Sequence, residues 1–121
     1  VKDFPDHDII IKINASLFEW VIENLSKNAV DAMGVDGGQI TLHVEETEDR
    51  AIVEVSDTGK GIRKKDLRNV FRPGFTTKKR GWGLGLSLAK RIVEEYHHGR
   101  IYVKSSEPGV GTVFRIELRQ R

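Results

Sequence analysis

The sequence contains no cysteine among its 121 residues. This excludes disulfide bonds and thiolate metal sites, although it leaves the cellular compartment open. No apolar run approaches the roughly 20 residues that a membrane-spanning helix needs, and the N-terminus has no signal-peptide pattern. A formal net charge of +2 is too small to indicate nucleic-acid binding. We therefore expect a domain that contacts neither nucleic acid nor membrane.

The composition is that of an ordinary globular protein, with 38% hydrophobic and 31% charged residues and no internal repeat or low-complexity segment. The length suits one domain, residues 1–121, with a core of its own. Segments with regular patterns reach both ends of the chain, which suggests a domain of a longer protein.

The hydrophobic patterns predict the order strand, helix, two strands, short helix, loop, helix, two strands. Apolar residues recur at helical intervals after Ser16, and strict alternation marks the longer strands. The predicted strands are 9–13, 39–46, 51–57, 101–104 and 112–118; the predicted helices are 16–34, 63–70 and 84–96, with a mobile loop at 71–82. This order predicts an α+β two-layer sandwich, in which about three helices cover one face of a mixed, mostly antiparallel sheet of about five strands.

The third predicted strand runs directly into Asp57-Thr58-Gly59-Lys60-Gly61. A carboxylate at the end of a buried strand requires hydrogen-bond donors, and closely spaced glycines allow a near approach of other groups. For this motif alone, an Asx-type turn that closes a hairpin is the simpler interpretation.

Asn24 and Asn28 lie one helical turn apart, on the same stripe as Leu17 and Val21. That stripe should face the core, where a polar amide needs partners. The two residues are either core asparagines bonded to backbone or part of a face that meets a ligand. An amide oxygen suits Mg²⁺, which keeps several waters and takes phosphate oxygens for its other ligands.

A glycine-rich segment, residues 81–86, precedes the last predicted helix. Free N–H groups and a positive dipole at a helix start favour an anion, although a tight helix entry explains the glycines equally well. The segment is neither a Walker loop nor a good Rossmann fingerprint. The basic run at 76–80 is either a solvated loop or a phosphate clamp beside that helix.

Together these motifs resemble the nucleotide-binding domain of bacterial sensor histidine kinases. The wider ATPase superfamily (the Bergerat or GHKL fold) includes the gyrase B, heat-shock chaperone and MutL ATPases. The motifs that carry the resemblance are the N box Glu23–Ala29, the first glycine box Asp57–Ile62, the F box Phe71–Lys78, the second glycine box Gly81–Leu86 and a closing segment Gly109–Phe114. The resemblance runs in family order from about Ile9 to Leu118.

The resemblance implies a cytoplasmic domain that binds Mg·ATP and donates the γ-phosphate to a histidine. That histidine would lie on a separate dimerisation and phosphoacceptor helical hairpin, in two-component signal transduction with a response regulator as indirect partner. Asp57 should accept a hydrogen bond from the adenine amine, while Gly59 and Gly61 let the backbone close on the base. Asn28 should ligate Mg²⁺ and Asn24 should lie beside the phosphates. The F-box phenylalanines should pack a flexible lid against the body of the domain.

The resemblance also supplies a full set of candidate residues. The catalytic candidates are Asn24, Asn28 and Lys78. The candidates for nucleotide contact are Asn24, Lys27, Asn28, Asp31, Asp57, Gly59, Gly61, Ile62, Phe71, Thr76, Thr77, Lys78, Lys79, Arg80, Gly81, Gly83, Leu84, Gly85, Leu86 and Thr112.

Two departures from the family pattern affect the expected chemistry. Asp31 and Ala32 stand where many members have a basic and an aromatic residue, so phosphate charge must be met by Lys27 or by the basic run 78–80. Asn24 stands where members that hydrolyse ATP unaided usually have a glutamate, which favours phosphotransfer. Among the chain's own histidines, His7 is at a strand start and lacks the helical context of a phosphoacceptor. His43 alternates on a strand and His97 and His98 end a helix, so a structural role is expected for them.

Two alternatives share the fold. The first is an anti-sigma-factor-like serine kinase, against which the Phe75-Thr76-Thr77-Lys78 signature argues. The second is a degenerate module that only binds protein, against which intact Asn28, Asp57, Gly83 and Gly85 argue.

Overall fold

The computed structural model describes residues 2–3, 15–35, 37–73 and 85–119. The strands are β1 Lys2–Asp3, β2 Ile40–Glu46, β3 Arg50–Asp57, β4 Arg100–Glu107 and β5 Gly111–Arg119. The helices are α1 Ala15–Met33 and α2 Gly85–Arg91, and α2 continues as a π-helical segment, Ile92–Tyr96. Within these residues no helix has the length and apolarity to span a membrane.

The strands form one sheet in the order β1-β2-β3-β5-β4. β1 pairs parallel with β2, and the other three pairs are antiparallel. The predicted α+β architecture with a mixed, mostly antiparallel sheet is thus confirmed. The predicted strand 9–13 and most of the predicted loop lie outside the described residues, and β1 was not predicted.

Helix α1 packs on the sheet through residues spaced four apart. Val21, Leu25 and Ala29 are all almost fully buried, and they belong to the same apolar core as Val55 and Phe114 on the sheet. A stripe of this kind is what stabilises a helix against a sheet. The helix ends one residue before Gly34, as predicted.

The opposite face of the sheet carries a network of charged side chains. Glu54 is only 6% exposed, and both Lys104 Nζ and Arg115 Nη1 lie 3.0 Å from its Oε2. Arg115 Nε in turn lies 3.0 Å from Glu117 Oε2. A buried carboxylate is tolerated only with such partners, so this network fixes β3, β4 and β5 together from behind the core.

The prediction of a helix at 63–70 is wrong. The structure has a single 3₁₀ turn, Lys64–Asp66, followed by turns. The Asp66 N–H donates a hydrogen bond to the Arg63 carbonyl at 2.8 Å, and the Asn69 N–H donates one to the Asp66 carbonyl at 2.9 Å. Val70 is the one buried residue of the segment, and a short charged stretch without an apolar stripe cannot offset the cost of helix nucleation.

Candidate functional site

Asp57 ends β3 as a half-buried carboxylate with backbone donors. Its Oδ1 accepts a hydrogen bond from the Gly59 N–H at 2.8 Å. Burial raises the pKa of Asp57 above its ordinary value, while hydrogen bonds from the Gly59 and Thr112 backbone act in the opposite direction. The bond to Gly59 is the Asx-turn pattern that the sequence suggested. Because burial still dominates, a further donor from a ligand would stabilise the ionised carboxylate.

The turn after Asp57 is fastened to two other parts of the chain. The Lys60 N–H donates to the Ala32 carbonyl at 2.9 Å, and the Gly109 N–H donates to the Lys60 carbonyl at 2.8 Å. A Cβ on Gly59 would lie 2.6 Å from the Ala32 oxygen. Gly61 has φ +75°, and a Cβ there would strike the Glu107 carbonyl. The protein's own backbone therefore requires both glycines, and their expected contact with a base stays a prediction.

Four side chains form a row across the sheet at the end where Asp57 lies. Ile40 pairs with Asp57, Asp57 with Thr112, and Thr112 with Ser106. Residues directly opposite each other in antiparallel strands project from the same face. This is the helix-covered face, since Val55 and Phe114 belong to the core and pair with each other two residues along from Asp57 and Thr112, on the same face. Asp57 and Thr112 thus lie side by side, as expected of two residues that contact one ligand.

Ser106 is a member of this row that the sequence did not indicate. Its Oγ lies 2.8 Å from Thr112 Oγ1 and accepts a hydrogen bond from the Ile62 N–H at 2.8 Å. A register shift between Val103 and Ser105 brings Ser106, rather than Ser105, opposite Thr112. Such a bulge re-aims side chains, and no local sequence signal marks it.

Asn24 and Gly85 meet at the start of α2. The Asn24 Nδ2 donates to the Trp20 carbonyl at 3.1 Å, and a Cβ on Gly85 would lie 2.9 Å from Asn24 Oδ1. The glycine therefore lets the first turn of α2 approach the amide oxygen. Thus α1 contacts α2 at Asn24 and the Asp57 turn at Ala32, eight residues or about 12 Å further along its axis. Asn28, half-buried, lies between them on the helix.

The other described candidates are spread around these two positions. Lys27 and Asp31 are exposed on α1, and Leu86 packs against the core. The Phe71 ring packs edge-on against Phe114 with centroids 6.0 Å apart, which anchors the start of the F box beside Thr112. The candidates Thr76, Thr77, Lys78, Lys79, Arg80, Gly81, Gly83 and Leu84 lie outside the described residues.

Two amide oxygens on α1 are the candidate metal donors in the part of the chain that the structure describes. Among the described residues, no group of three or more His, Asp or Glu side chains could hold a metal ion. Asn24 and Asn28 offer neutral oxygens, which fit a Mg²⁺ ion that takes its remaining ligands from phosphate and water.

Residues 13–121 match the family model described as histidine kinase-, DNA gyrase B- and HSP90-like ATPase. The chain belongs to this ATPase family. The match confirms the family resemblance that the four boxes indicate. Within this ATPase family, the chain is 48% identical over 99 residues to the sensor histidine kinase ZraS of Salmonella typhi. It is 34% identical over 118 residues to sporulation kinase C of Bacillus subtilis (strain 168).

Solved structures of the histidine kinase ThkA agree with the fold. The catalytic domain of histidine kinase ThkA superposes with a TM-score of 0.87 at 31% identity, covering 98% of this chain and 78% of that one. ThkA in complex with the response regulator protein TrrA superposes with a TM-score of 0.82 at 28% identity, covering 99% of this chain and 33% of that one. The sequence alignment with ZraS covers 81% of this chain but only 21% of ZraS. The alignment with sporulation kinase C covers 97% of this chain but only 27% of that kinase.

Proposed function

We propose that this chain is the catalytic domain of a protein-histidine kinase, which binds Mg·ATP and donates the γ-phosphate to a histidine on a separate helical domain. The observation that carries the proposal is the placement of two different polar groups along α1. The carboxylate of Asp57 lies near the C-terminal end of the helix, and the Asn24 amide beside Gly85 lies near the middle, about 12 Å back along the axis. Such a layout suits an elongated ligand with a base at one end and phosphates at the other.

At the base end, Asp57 supplies the acceptor for the adenine amine. Its carboxylate is oriented by the Gly59 N–H and lies beside Thr112 on the same face of the sheet. The turn that carries Gly59 is bonded to α1 at Ala32, so the carboxylate is held before the ligand arrives. Preorganisation of this kind reduces the entropy lost on binding.

At the phosphate end, Asn24 and Asn28 are the groups that would face phosphate and Mg²⁺. The bound ion would neutralise charge on the phosphate oxygens. The contact between Asn24 and Gly85 places the amide beside the first turn of α2, where the positive end of the helix dipole favours phosphate. Lys27 is exposed on the same helix, which leaves it able to approach the phosphates.

The residue types at this end support transfer rather than hydrolysis. The neutral amide of Asn24 cannot take a proton from water near pH 7. Two described histidines are engaged elsewhere: His43 Nε2 lies 2.9 Å from Glu45 Oε1 on β2, and His97 Nδ1 lies 2.9 Å from the Ile92 carbonyl. His98 is exposed after the π-helical segment, and His7 lies outside the described residues. We assign the phosphoacceptor to another domain because the family resemblance implies a separate helical hairpin.

Calorimetric titration with ATP, with and without Mg²⁺, tests the binding half of the proposal. We expect saturable binding that Mg²⁺ strengthens and that GTP does not reproduce at the same concentration. An absence of ATP binding, or equal affinity for ATP and GTP, would contradict the proposal. The Asp49→Asn variant, which changes an exposed carboxylate in the β2–β3 turn, is the matched control and should bind as the unmodified chain does.

A further inference from the structure

We propose that a group of exposed cations between the first glycine box and the F box is a docking surface for a carboxylate-rich segment of a protein partner. The group, here called the cationic ridge, consists of Arg63, Lys64, Lys65, Arg68 and Arg72. None of these residues is a candidate for nucleotide contact, so the ridge is a surface beyond the proposed ATP site.

The segment 63–72 separates its cations from its apolar residues. Every cation of the ridge is exposed. Val70, in contrast, is only 4% exposed, Leu67 is half-buried, and Phe71 packs edge-on against Phe114. The apolar side chains therefore anchor the segment to the body of the domain and leave the positive charge on the outside.

Backbone hydrogen bonds hold the segment in a succession of turns. The Leu67 N–H donates to the Lys64 carbonyl at 3.3 Å, and the Arg72 N–H donates to the Asn69 carbonyl at 2.9 Å. The Asp66 and Asn69 N–H groups donate in the same way, each to the residue three positions earlier. The cations are thus presented by an ordered backbone, which reduces the entropy that docking would cost.

Most of the charge on the ridge is not neutralised within the chain. Asp66 is the one acidic residue between positions 63 and 72, and its Oδ2 lies 3.3 Å from Arg63 Nε. In the part of the chain that the structure describes, the other four cations of the ridge have no ion pair. By comparison, the exposed Arg91 pairs with Glu95 on its own helix. Like charges that lie close together repel one another, and carboxylates of a partner would relieve that repulsion.

The surroundings of the ridge favour an acidic protein segment over other anions. A guanidinium group such as that of Arg68 binds a carboxylate through two parallel hydrogen bonds, although it also attracts phosphate. Elements that lie on a membrane surface carry exposed apolar side chains, whereas the exposed large apolar residues of the described chain all lie outside 63–72. A nucleic acid needs a longer positive surface. Here Gly61, next to the ridge, packs against the backbone of Glu107, an exposed acidic residue.

Cross-linking on the unmodified chain locates the surface. A carbodiimide joins the carboxylates of an octaglutamate peptide to the lysine amines that they contact, and mass spectrometry identifies the lysines. We expect cross-links mainly at Lys64 and Lys65, and we expect high salt to suppress them. Cross-links mainly at lysines outside the ridge would overturn the inference.

A pair of variants with equal net charge tests the contribution of the ridge to affinity. In the double variant Lys65→Gln with Arg68→Gln, the affinity for octaglutamate should fall about fivefold, as expected for two lost exposed ion pairs. The matched control, Arg91→Gln with Arg119→Gln, removes two exposed cations elsewhere and should bind the peptide as the unmodified chain does. Equal weakening in both variants would show that net charge alone attracts the peptide, which would overturn the inference. A loss of ATP affinity in the ridge variant alone would overturn it too, because the ridge would then belong to the nucleotide site.

Other polyanions are titrated with the same variants at the same salt concentration. The probes are vesicles of phosphatidylserine and phosphatidylcholine and a DNA duplex. We expect both to bind more weakly than octaglutamate. If either binds more tightly, and that binding is lost in Lys65→Gln with Arg68→Gln, the choice of a protein partner is wrong.

Discussion

Replacement of Asp57 by asparagine changes one atom in the site and should remove most of the affinity for ATP. The carbonyl oxygen of an asparagine can still accept the Gly59 N–H bond that Oδ1 accepts at 2.8 Å. The turn is also held by the backbone bond from Lys60 to Ala32, so the fold should survive. The amide NH₂ that replaces the second oxygen would face the adenine amine, which places one donor against another.

The magnitude follows from the loss of a hydrogen bond to a charged, half-buried acceptor. Removing such a bond and leaving one buried donor unsatisfied costs about 2–3 kcal/mol. That range corresponds to an increase in Kd of about 30- to 150-fold. The free energy of unfolding should change much less, because the Asx turn is retained.

Calorimetry on Asp57→Asn, with urea unfolding of the same preparation, measures both quantities. Asp49→Asn removes an exposed carboxylate and gives the background effect of one lost charge. ATP affinity within about twofold of the unmodified chain, well below the loss expected for that bond, would show that Asp57 does not contact the base. A loss of affinity that accompanies unfolding would mean that the carboxylate is structural.

Three further predictions concern the same site. Asn28→Ala should weaken Mg·ATP much more than metal-free ATP, because it removes a metal ligand; equal weakening would contradict the assignment, and Asn28→Asp, which keeps an oxygen but adds charge, is the control. Gly85→Ala should leave thermal stability unchanged or slightly higher, since alanine favours helix by up to about 1 kcal/mol. It should nevertheless weaken ATP binding, because the new Cβ would lie 2.9 Å from the Asn24 oxygen and displace it; unchanged affinity would mean that Asn24 is not at the phosphates. Because burial raises the pKa of Asp57, this carboxylate should be protonated at a higher pH than an ordinary aspartate, and ATP affinity should fall as the pH is lowered through that raised pKa. If the affinity of Asp57→Asn falls equally over the same pH range, protonation of Asp57 is not the cause.

Local patterns were sufficient for the elements with strong periodicity. Helix α1 carries a stripe of apolar residues four apart, β2 and β5 alternate, and β3 and β4 contain runs of β-type residues. The positions of these elements were therefore predicted to within a few residues. The segment 63–70 was mistaken for a helix because charge and length were compatible with one. Only the three-dimensional structure shows that Val70 alone is buried there.

The composition of the candidate site was predictable only in part. The family boxes indicated Asp57, Asn24 and Gly85, because each lies in a recognisable motif. Ser106 could not be found in this way, since its place opposite Thr112 depends on a register shift in β4. The structural requirement for glycine at position 59 could not be predicted either, because Gly59 approaches the carbonyl of Ala32 on α1, 27 positions earlier in the chain. Contacts between distant segments decide these features, and a local sequence does not record them.

Phosphotransfer to an added acceptor tests the central claim most directly. The chain is incubated with ATP labelled at the γ-phosphate and with Mg²⁺, alone or with a histidine-bearing helical hairpin supplied in cis or in trans. We expect no label on the chain alone and acid-labile phosphate on the histidine of the added hairpin, since transfer requires a nucleophile placed in line with the γ-phosphate. Two results would contradict the account. One is acid-labile phosphate on the chain alone that is lost on replacing His7, and the other is a chain that binds ATP but labels no added hairpin.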